Sequence, residues 1–324
     1  MVEGGDPFSD MGTDSQMNVE IQLADAMPER DTAITIGVFD GIHLGHRRLV
    51  QLLKEEADQR GLLATVMTFD RHPQQVLHPE STLPYLTSKE EKLSLLRQLG
   101  VDLIIVLPFT HETAQLTARQ FVSLLRKQLR MRTLVVGPDF ALGRGREGDA
   151  TYLKTLSREM DFRLVAVPTV RKNGEIISST AIRTALASGE LNRVTKLLGR
   201  PFSISGQIGP GAERGRKLGF PTANLSIDPG KAVPPDGVYV TLAFVQGREY
   251  PSVTNIGMRP TFGDGQRNVE VFILDFKGDL YGQELRIDLI ERLRGEKRFA
   301  NVEDLKVQIA RDVEQVRAIL GVRK

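Results

Sequence analysis

The fold of this protein is decided by residues 34–46, which read ITIGVFDGIHLGH. The β-branched run at 34–38 is typical of a buried strand, and residues 39–41 predict a tight turn in which glycine permits a sharp bend. Apolar residues with helical spacing follow, so the stretch predicts a strand, a turn and a helix N-terminus. Free backbone N–H groups and the positive end of the helix dipole make such a terminus a natural seat for phosphate.

Two histidines lie at that predicted seat. His43 and His46 are three residues apart, so they point to similar sides of the first helical turn. Imidazoles there can donate to phosphate oxygens and stabilise developing charge. Histidines at a helix start are often plain surface residues, but two of the chain's five lie in this glycine-framed stretch. We therefore expect both to be catalytic. The residues expected to surround the phosphates are Gly37, Phe39, Asp40, Gly41 and Gly45.

Composition limits the possible functions. A length of 324 residues suggests two domains. The absence of cysteine excludes disulfides, a thiolate zinc site and a cysteine nucleophile, and it fits a cytoplasmic location. A net charge of +2 gives no basic field for nucleic acid, and no apolar run predicts a membrane span. Residues 1–16, without an apolar segment, predict a disordered tail rather than a signal peptide, and Met17 could be the native start.

Strands and helices are predicted to alternate through residues 17–199. Near-continuous apolar strands of this kind indicate a Rossmann-like parallel sheet covered on both faces. Ligands of such sheets bind beyond the carboxyl ends of the strands, which is where both histidines fall. The later strands are predicted at 62–69, 102–109, 133–140 and 162–170, with helices at 87–100, 117–130 and 149–160.

Two further loops follow predicted elements of this sheet. Residues 137–148 read GPDFALGRGREG, in which Asp139, Arg144 and Arg146 could contact phosphates, although such loops are common on surfaces. Residues 177–183 read ISSTAIR and predict a helix N-cap. That motif could be an ordinary cap, or a second phosphate cradle. The residues of the cradle would be Ser178, Ser179, Thr180 and Arg183.

The sequence changes character at residues 199–201, Gly-Arg-Pro, which predicts a domain boundary. Strand-like runs then recur between Gly, Pro and Asp turns, as in a small antiparallel barrel. The barrel is followed by a helix at 301–320 whose apolar stripe should pack on it. The stripe comprises Val302, Leu305, Ile309, Val313, Val316 and Leu320.

Chemistry in this second half centres on residues 215–225, GRKLGFPTANL. Thr222 and Asn224 point to one side of an extended segment, and their oxygens suit a magnesium ion that also holds nucleotide phosphates. A polar turn between strands is an equally good interpretation of the spacing alone. Glu270 shares a predicted strand face with Phe272, Leu274 and Phe276, where a carboxylate is costly without a role. It is a candidate general base, or a glutamate at a frayed strand end. Further residues expected near the phosphates are Gly215, Lys217, Gly219 and Pro221.

Taken together, these motifs resemble the bacterial bifunctional riboflavin kinase/FMN adenylyltransferases, the prokaryotic FAD synthetases. The stretch at 37–46, the loop at 137–148 and ISSTxIR resemble the nucleotidyltransferase signatures of that family, and GFPTAN at 219–224 resembles its kinase signature. The resemblance runs from about residue 17 to the C-terminus. Arg71 stands where the family usually has proline, and Leu142 replaces a usual phenylalanine.

The resemblance implies an FMN adenylyltransferase domain at 17–199 and a riboflavin kinase domain at 200–324. It implies riboflavin, FMN, FAD and ATP as ligands and Mg²⁺ as the cofactor, and self-association stays open. Glu270 would be the kinase base, with Thr222 and Asn224 as magnesium ligands. Flavin contacts would come from Phe69, His72, Pro73 and Arg294. The rival functions are a nucleotidyltransferase for another acceptor, such as phosphopantetheine or phosphoglycerol, and a non-enzymatic flavin- or nucleic-acid-binding regulator.

Overall fold

The computed structural model describes residues 23, 26–80, 82–209, 219–258 and 267–322. The predictions for the tail, for Met17 and for Gly215 and Lys217 lie outside these residues. The chain divides into two compact units: residues 1–83 with 87–177, and residues 84–86 with 178–324. The predicted domain boundary between residues 199 and 200 remains a prediction.

The first unit is built on a five-stranded parallel sheet in the order β3-β2-β1-β4-β5. This confirms the α/β prediction. Its strands are β1 Thr32–Ile36, β2 Leu63–Phe69, β3 Leu103–Leu107, β4 Met131–Val136 and β5 Arg163–Ala166. Its helices are α1 Leu44–Arg60, α2 Pro73–Leu77, α3 Lys89–Gln98, α4 His111–Gln115, α5 Ala118–Gln128 and α6 Ala150–Glu159.

Strand β1 lies at the centre of the sheet, and all five of its residues are buried. Alternate side chains enter opposite apolar layers, so Ile34 packs in one cluster and Ala33 in the other. The chain leaves β1 for β2 on one side, whereas β4 pairs on the other side. A change of direction of this kind opens a crevice at the carboxyl ends of the strands.

Local signals place these elements, but several ends differ from the prediction. The strands predicted at 102–109 and 133–140 are Leu103–Leu107 and Met131–Val136. The helix predicted from residue 117 is confirmed, and Thr117 and Gln120 form a reciprocal capping box at the start of α5. Helix α3, in contrast, is capped by Ser88, one residue later than the sequence indicates. The strand predicted at 162–170 ends at Ala166 and is followed by a hairpin of β6 Arg171–Lys172 and β7 Glu175–Ile176.

The second unit is a closed six-stranded barrel in the order β10-β11-β12-β9-β8-β13, as the sequence predicts. Its strands are β8 Phe202–Gly209, β9 Ala223–Ser226, β10 Gly237–Val245, β11 Arg248–Met258, β12 Arg267–Ile273 and β13 Glu284–Arg294. Its helices are α7 Ser179–Ala187, α8 Leu191–Leu198 and α9 Val302–Leu320. Helices α7 and α8 thus group with the barrel by their contacts.

Helix α9 is capped by Asn301 and packs on the barrel through part of the expected stripe. Val313, Val316 and Leu320 join the apolar cluster of β10. Val302 is 62% exposed, so its predicted packing is wrong. Within the part of the chain that the structure describes, every helix is too short or too polar to span a lipid bilayer.

Candidate active sites

The turn after β1 has an unusual backbone. Phe39 and Ile42 adopt positive φ angles of 53° and 40°, around Gly41 at 85°. Side chains make this region costly for non-glycine residues, and such strain persists only where surrounding contacts impose it. Phe39 and Ile42 are fully buried, so their packing helps to fix the turn.

His43 and His46 lie together at the start of α1. His43 is its N-cap, and its Nδ1 accepts a hydrogen bond from the His46 backbone N–H at 3.2 Å. An Nδ1 that accepts leaves the proton of a neutral imidazole on Nε2, which can then donate to a ligand. The two rings stack with centroids 3.6 Å apart and an interplanar angle of 12°. A Cβ on Gly45 would lie 3.0 Å from the His43 ring, so glycine leaves room for this stack.

The His46 ring is held in its neutral form. Burial lowers the pKa of His46 well below its ordinary value of 6.5, and the charge of His43 lowers it further. Its Nδ1 atom is buried and has no hydrogen-bond partner among the described residues. A neutral imidazole at a helix N-terminus can donate one hydrogen bond to an anion without carrying charge itself.

Asp40 has a structural role that the sequence did not indicate. Its Oδ1 accepts from the backbone N–H of Thr87 at 3.0 Å and from the Thr87 hydroxyl at 3.2 Å. The same hydroxyl accepts from the Gly41 N–H at 3.0 Å.

Lys92, also buried, donates from Nζ to the carbonyl oxygens of Phe69 at 2.8 Å and Val38 at 3.3 Å. A lysine in the apolar stripe of α3 is the sequence signal that could have found this contact.

The loop at 137–148 follows β4 as predicted, but two of its glycines serve packing. A Cβ on Gly143 would lie 2.4 Å from the Ala118 backbone nitrogen, and one on Gly148 would lie 2.7 Å from the Ala118 Cβ. Leu142 is buried in the core of the first unit. Asp139, Arg144 and Arg146 are exposed, and Arg146 Nη2 donates to the Asp139 carbonyl at 2.9 Å. The arginines remain predicted phosphate contacts.

The predicted flavin loop at 69–73 also contains local structural contacts. Phe69 packs edge-on against Phe109, with centroids 5.2 Å apart. His72 caps α2, its Nδ1 accepting from the Gln74 N–H at 3.1 Å, and Pro73 is in the first turn. These contacts give the loop a defined shape, and its binding of flavin remains a prediction.

The ISSTAIR motif begins helix α7 in the second unit. The Ser178 hydroxyl caps the helix by accepting from the Ala181 N–H at 3.1 Å, which is the ordinary capping role. Ser179 and Thr180 occupy the first turn. Arg183 donates from Nε to the Pro84 carbonyl at 2.7 Å. Their action on phosphate remains a prediction.

The kinase candidates meet on the β9–β12 ladder. Asn224 pairs directly with Glu270 in the antiparallel register, so both side chains lie on one face with Cβ atoms about 4.5–5.5 Å apart. Thr222 precedes Asn224 by two residues. Glu270 is half-buried in the middle of β12 and accepts from Asn268 Nδ2 at 2.7 Å, so the frayed-end interpretation is wrong. Leu274 and Phe276 lie beyond the end of the strand.

A cavity of about 540 Å³ adjoins this ladder. Pro221, Thr222 and Asn224 form one part of its wall, and Lys277 and Asp279 lie in the loop that lines another part. Its size suits a nucleotide-sized ligand. Gly219, at φ 86°, begins the described part of the adjoining loop. Lys277 was not found from the sequence, because a single exposed lysine has no distinguishing pattern.

A smaller groove of about 280 Å³ lies between β12 and α9. Phe220 and Phe272 meet edge-on in its wall, with ring centroids 5.4 Å apart. Arg317 also lines it and is only 8% exposed. Its Nη2 donates to Asp275 at 2.8 Å, whereas Nε and Nη1 are buried without a partner among the described residues. The groove therefore combines aromatic walls with unused hydrogen-bond donors.

Arg294, predicted to contact flavin, has a buried partner in the same unit. Its guanidinium donates from Nη2 to Asp312 Oδ2 at 2.7 Å and from Nε to Oδ1 at 3.1 Å. Asp312 is 1% exposed, so this pair ties β13 to α9. A flavin contact by Arg294 remains a prediction.

Comparisons with known proteins match both halves of the chain. Family models described as FAD synthetase and riboflavin kinase match residues 25–181 and 198–320. A bifunctional riboflavin kinase/FMN adenylyltransferase of Escherichia coli K12 is 42% identical over 92% of this chain and 95% of its own length. The protein of the same description from Bacillus subtilis is 35% identical over 90% of this chain and 94% of its own length. A crystal structure from Streptococcus pneumoniae, described as a macrolide-efflux protein, matches with a TM-score of 0.83 and 31% identity over 91% of this chain and 96% of that one.

Proposed function

Because this chain belongs to the family of bifunctional riboflavin kinase/FMN adenylyltransferases, we propose that residues 17–199 carry adenylyl transfer and residues 200–324 carry the kinase reaction. As a member of that family the chain phosphorylates riboflavin to FMN and adenylylates FMN to FAD, using ATP in both steps. The separate positions of the two family matches support this assignment.

In the proposed kinase step, the ribityl 5′-hydroxyl attacks the γ-phosphorus of ATP. Glu270 takes the hydroxyl proton, the bond between the γ-phosphorus and the bridging oxygen breaks, and ADP leaves. The observation that carries this assignment is the direct pairing of Glu270 with Asn224 beside the 540 Å³ cavity. Glu270 thus lies on the strand between that cavity, lined by Asn224, and the aromatic groove, lined by Phe272.

We assign the larger cavity to ATP and the aromatic groove to the isoalloxazine ring. Phe220 and Phe272 supply apolar contacts, and the unused N–H groups of Arg317 can donate to the ring carbonyls. Lys277 at the rim of the larger cavity would approach the phosphates.

Magnesium fits the residues present. The Thr222 hydroxyl and Asn224 amide oxygen are hard ligands, and Mg²⁺ typically takes few protein ligands while substrate phosphates and waters supply the rest. No cluster of three His, Cys, Asp or Glu side chains among the described residues offers a protein cage instead. When bound, the ion would neutralise charge on the phosphates.

In the proposed adenylyl transfer, a phosphate oxygen of FMN attacks the α-phosphorus of ATP and pyrophosphate leaves, without a covalent enzyme intermediate. The protein then needs to align the groups and stabilise charge. His43 and His46 would donate to the phosphate oxygens. Arg183 and the hydroxyls of the ISSTAIR motif are further candidates for phosphate contacts in this reaction. The stacked pair at the N-terminus of α1 supports this role.

One incubation tests the proposal. The protein is mixed with riboflavin, ATP and Mg²⁺, and the flavins are separated by chromatography; FMN should form first and FAD should follow. Supplied FMN should yield FAD and pyrophosphate without riboflavin. Absence of both products would overturn the function, and adenylylation of phosphopantetheine instead of FMN would favour the rival nucleotidyltransferase. A cytoplasmic location and the absence of nucleic-acid partners remain part of the proposal.

A further inference from the structure

A buried lysine joins the carboxyl ends of the two strands that lead into the adenylyltransferase site. Lys92 is 7% exposed and donates to the Phe69 carbonyl at 2.8 Å and the Val38 carbonyl at 3.3 Å. Val38 immediately precedes the strained turn, and Phe69 ends β2. One cation therefore bonds the last residue of β2 and a residue two positions beyond the end of β1.

Helix α3 contacts the same turn from a second point. Thr87, which precedes the α3 cap, bonds Asp40 and the Gly41 N–H. The turn is thus held on both sides of Phe39: by Lys92 and the Thr68 hydroxyl at the Val38 carbonyl, and by Thr87 at Asp40 and Gly41. A strained turn needs such support from surrounding contacts.

We propose that Lys92 is a positioning residue for adenylyl transfer: it fixes the turn at residues 39–42 so that His43 and His46 face the phosphates. This inference rests on the proposed function of the two histidines. Lys92 contacts backbone carbonyls rather than substrate, so it acts through the turn.

Stability alone does not account for a lysine at this position. Burying an ammonium group costs free energy, and burial correspondingly lowers the pKa of Lys92, while Asp40 and Asp70 raise it. An apolar side chain at position 92 would remove this cost, but the carbonyl oxygens of Val38 and Phe69 would lose the hydrogen bonds that the lysine gives them. Lys92 lies one turn before Leu95 and Leu96, both in apolar clusters, so a methionine there could join the same layer.

The test compares Lys92→Met and Lys92→Arg with Lys89→Met, an equivalent change at an exposed position of the same helix. Steady-state constants are measured for FMN adenylylation, with riboflavin phosphorylation by the same protein as an internal control. For Lys92→Met we expect kcat for adenylylation to fall about 10- to 100-fold, the size typical of small misplacements of catalytic groups, with a much smaller change in KM. Lys92→Arg should retain much of the adenylylation kcat that Lys92→Met loses, and Lys89→Met should have the wild-type value. All three variants should phosphorylate riboflavin at the wild-type rate.

Imidazole NMR signals supply a readout that stability does not move. The stacked rings of His43 and His46 should give ring-current-shifted signals. In Lys92→Met both signals should move toward ordinary positions, measured at a temperature at which both proteins are fully folded. A folded Lys92→Met protein with wild-type kcat and unshifted signals would overturn the proposal. If that variant does not fold, Lys92→Gln, which keeps two N–H donors, is tested in its place. A folded Lys92→Gln protein with reduced kcat for adenylylation supports the proposal, and one with full kcat overturns it. Failure of every Lys92 variant to fold would make the residue structural and also overturn the proposal. Full activity of His46→Ala would instead refute the assigned site itself.

Discussion

The turn at residues 39–42 holds two non-glycine residues at positive φ, whereas Asn224 and Glu270 face each other across a regular antiparallel ladder. The first site depends on contacts far along the chain, since Thr87 and Lys92 fasten a turn more than forty residues earlier. The second depends on strand register, which the whole barrel fixes. Substitutions around the first site should therefore alter activity at a distance, and those around the second should act mainly through the functional side chains themselves.

Glu270→Gln should have the largest effect. Glutamine keeps the shape of the side chain but cannot take a proton, so FMN formation should fall by about 10²–10⁴-fold, the usual contribution of a general base. Adenylylation of supplied FMN should stay near wild type. Glu291→Gln, at an exposed position of β13, is the matched control and should leave both rates unchanged. Full kinase activity of Glu270→Gln would place the base elsewhere.

His46→Ala addresses the other half of the comparison. Loss of one donor to developing charge costs about 10²–10³-fold, so FAD formation from FMN should fall by that factor or more. FMN formation should continue. His111→Ala, an exposed histidine in the first unit, serves as the control. Equal loss of both activities would show that the assignment of one reaction to each half is wrong.

The sequence indicated the candidate side chains better than the contacts that hold them. Motifs identified the turn, the histidine pair, Thr222, Asn224 and Glu270, and periodicity identified the sheet and the barrel. The bonds of Asp40 to Thr87 and of Lys92 to Val38 join residues 47 and 54 positions apart. The lysine in the apolar stripe of α3 marks one end of the second bond, but no local pattern identifies the partner of either residue. The pairing of Glu270 with Asn224 likewise depends on barrel register, which a strand pattern alone leaves undetermined.

Thr222→Ala should lower kinase activity by another route. It removes a proposed magnesium ligand, so activity at limiting Mg²⁺ should fall at least about 10-fold, and excess Mg²⁺ should restore part of it. A magnesium titration alongside Glu270→Gln separates the two roles, because no metal concentration should rescue a missing base. A loss of kinase activity that does not depend on the Mg²⁺ concentration would show that Thr222 is not a magnesium ligand.

A pair of fragments tests how far the barrel site is self-contained. Residues 201–324 contain the barrel and α9, and residues 178–324 add α7 and α8. Leu191, Val194, Leu197 and Leu198 of α8 are buried. We expect both fragments to phosphorylate riboflavin, and the longer one to melt at a higher temperature because it keeps this apolar surface covered. Equal melting temperatures would support the boundary predicted at residue 200.

The smallest expected effect is a pH dependence confined to the first site. Burial and His43 hold the pKa of His46 well below 6.5, so the unfolded chain takes up a proton near that pH that the folded chain does not. The contribution of His46 to folding stability is therefore complete above pH 6.5 and is lost progressively as the pH falls toward its folded-state pKa. His46→Gln removes this titration, so its melting temperature should fall less than that of wild type between pH 7.5 and 5.5. His111→Gln supplies the control for an exposed histidine, and hydrogen exchange of α1 and of β12 amides shows which unit responds. The loss of protection at low pH should appear in α1 and be absent from the barrel. An identical pH dependence of the melting temperature in wild type and His46→Gln would show that the stacked pair is not held neutral. The turn would then lack the electrostatic feature that most distinguishes it from the barrel site.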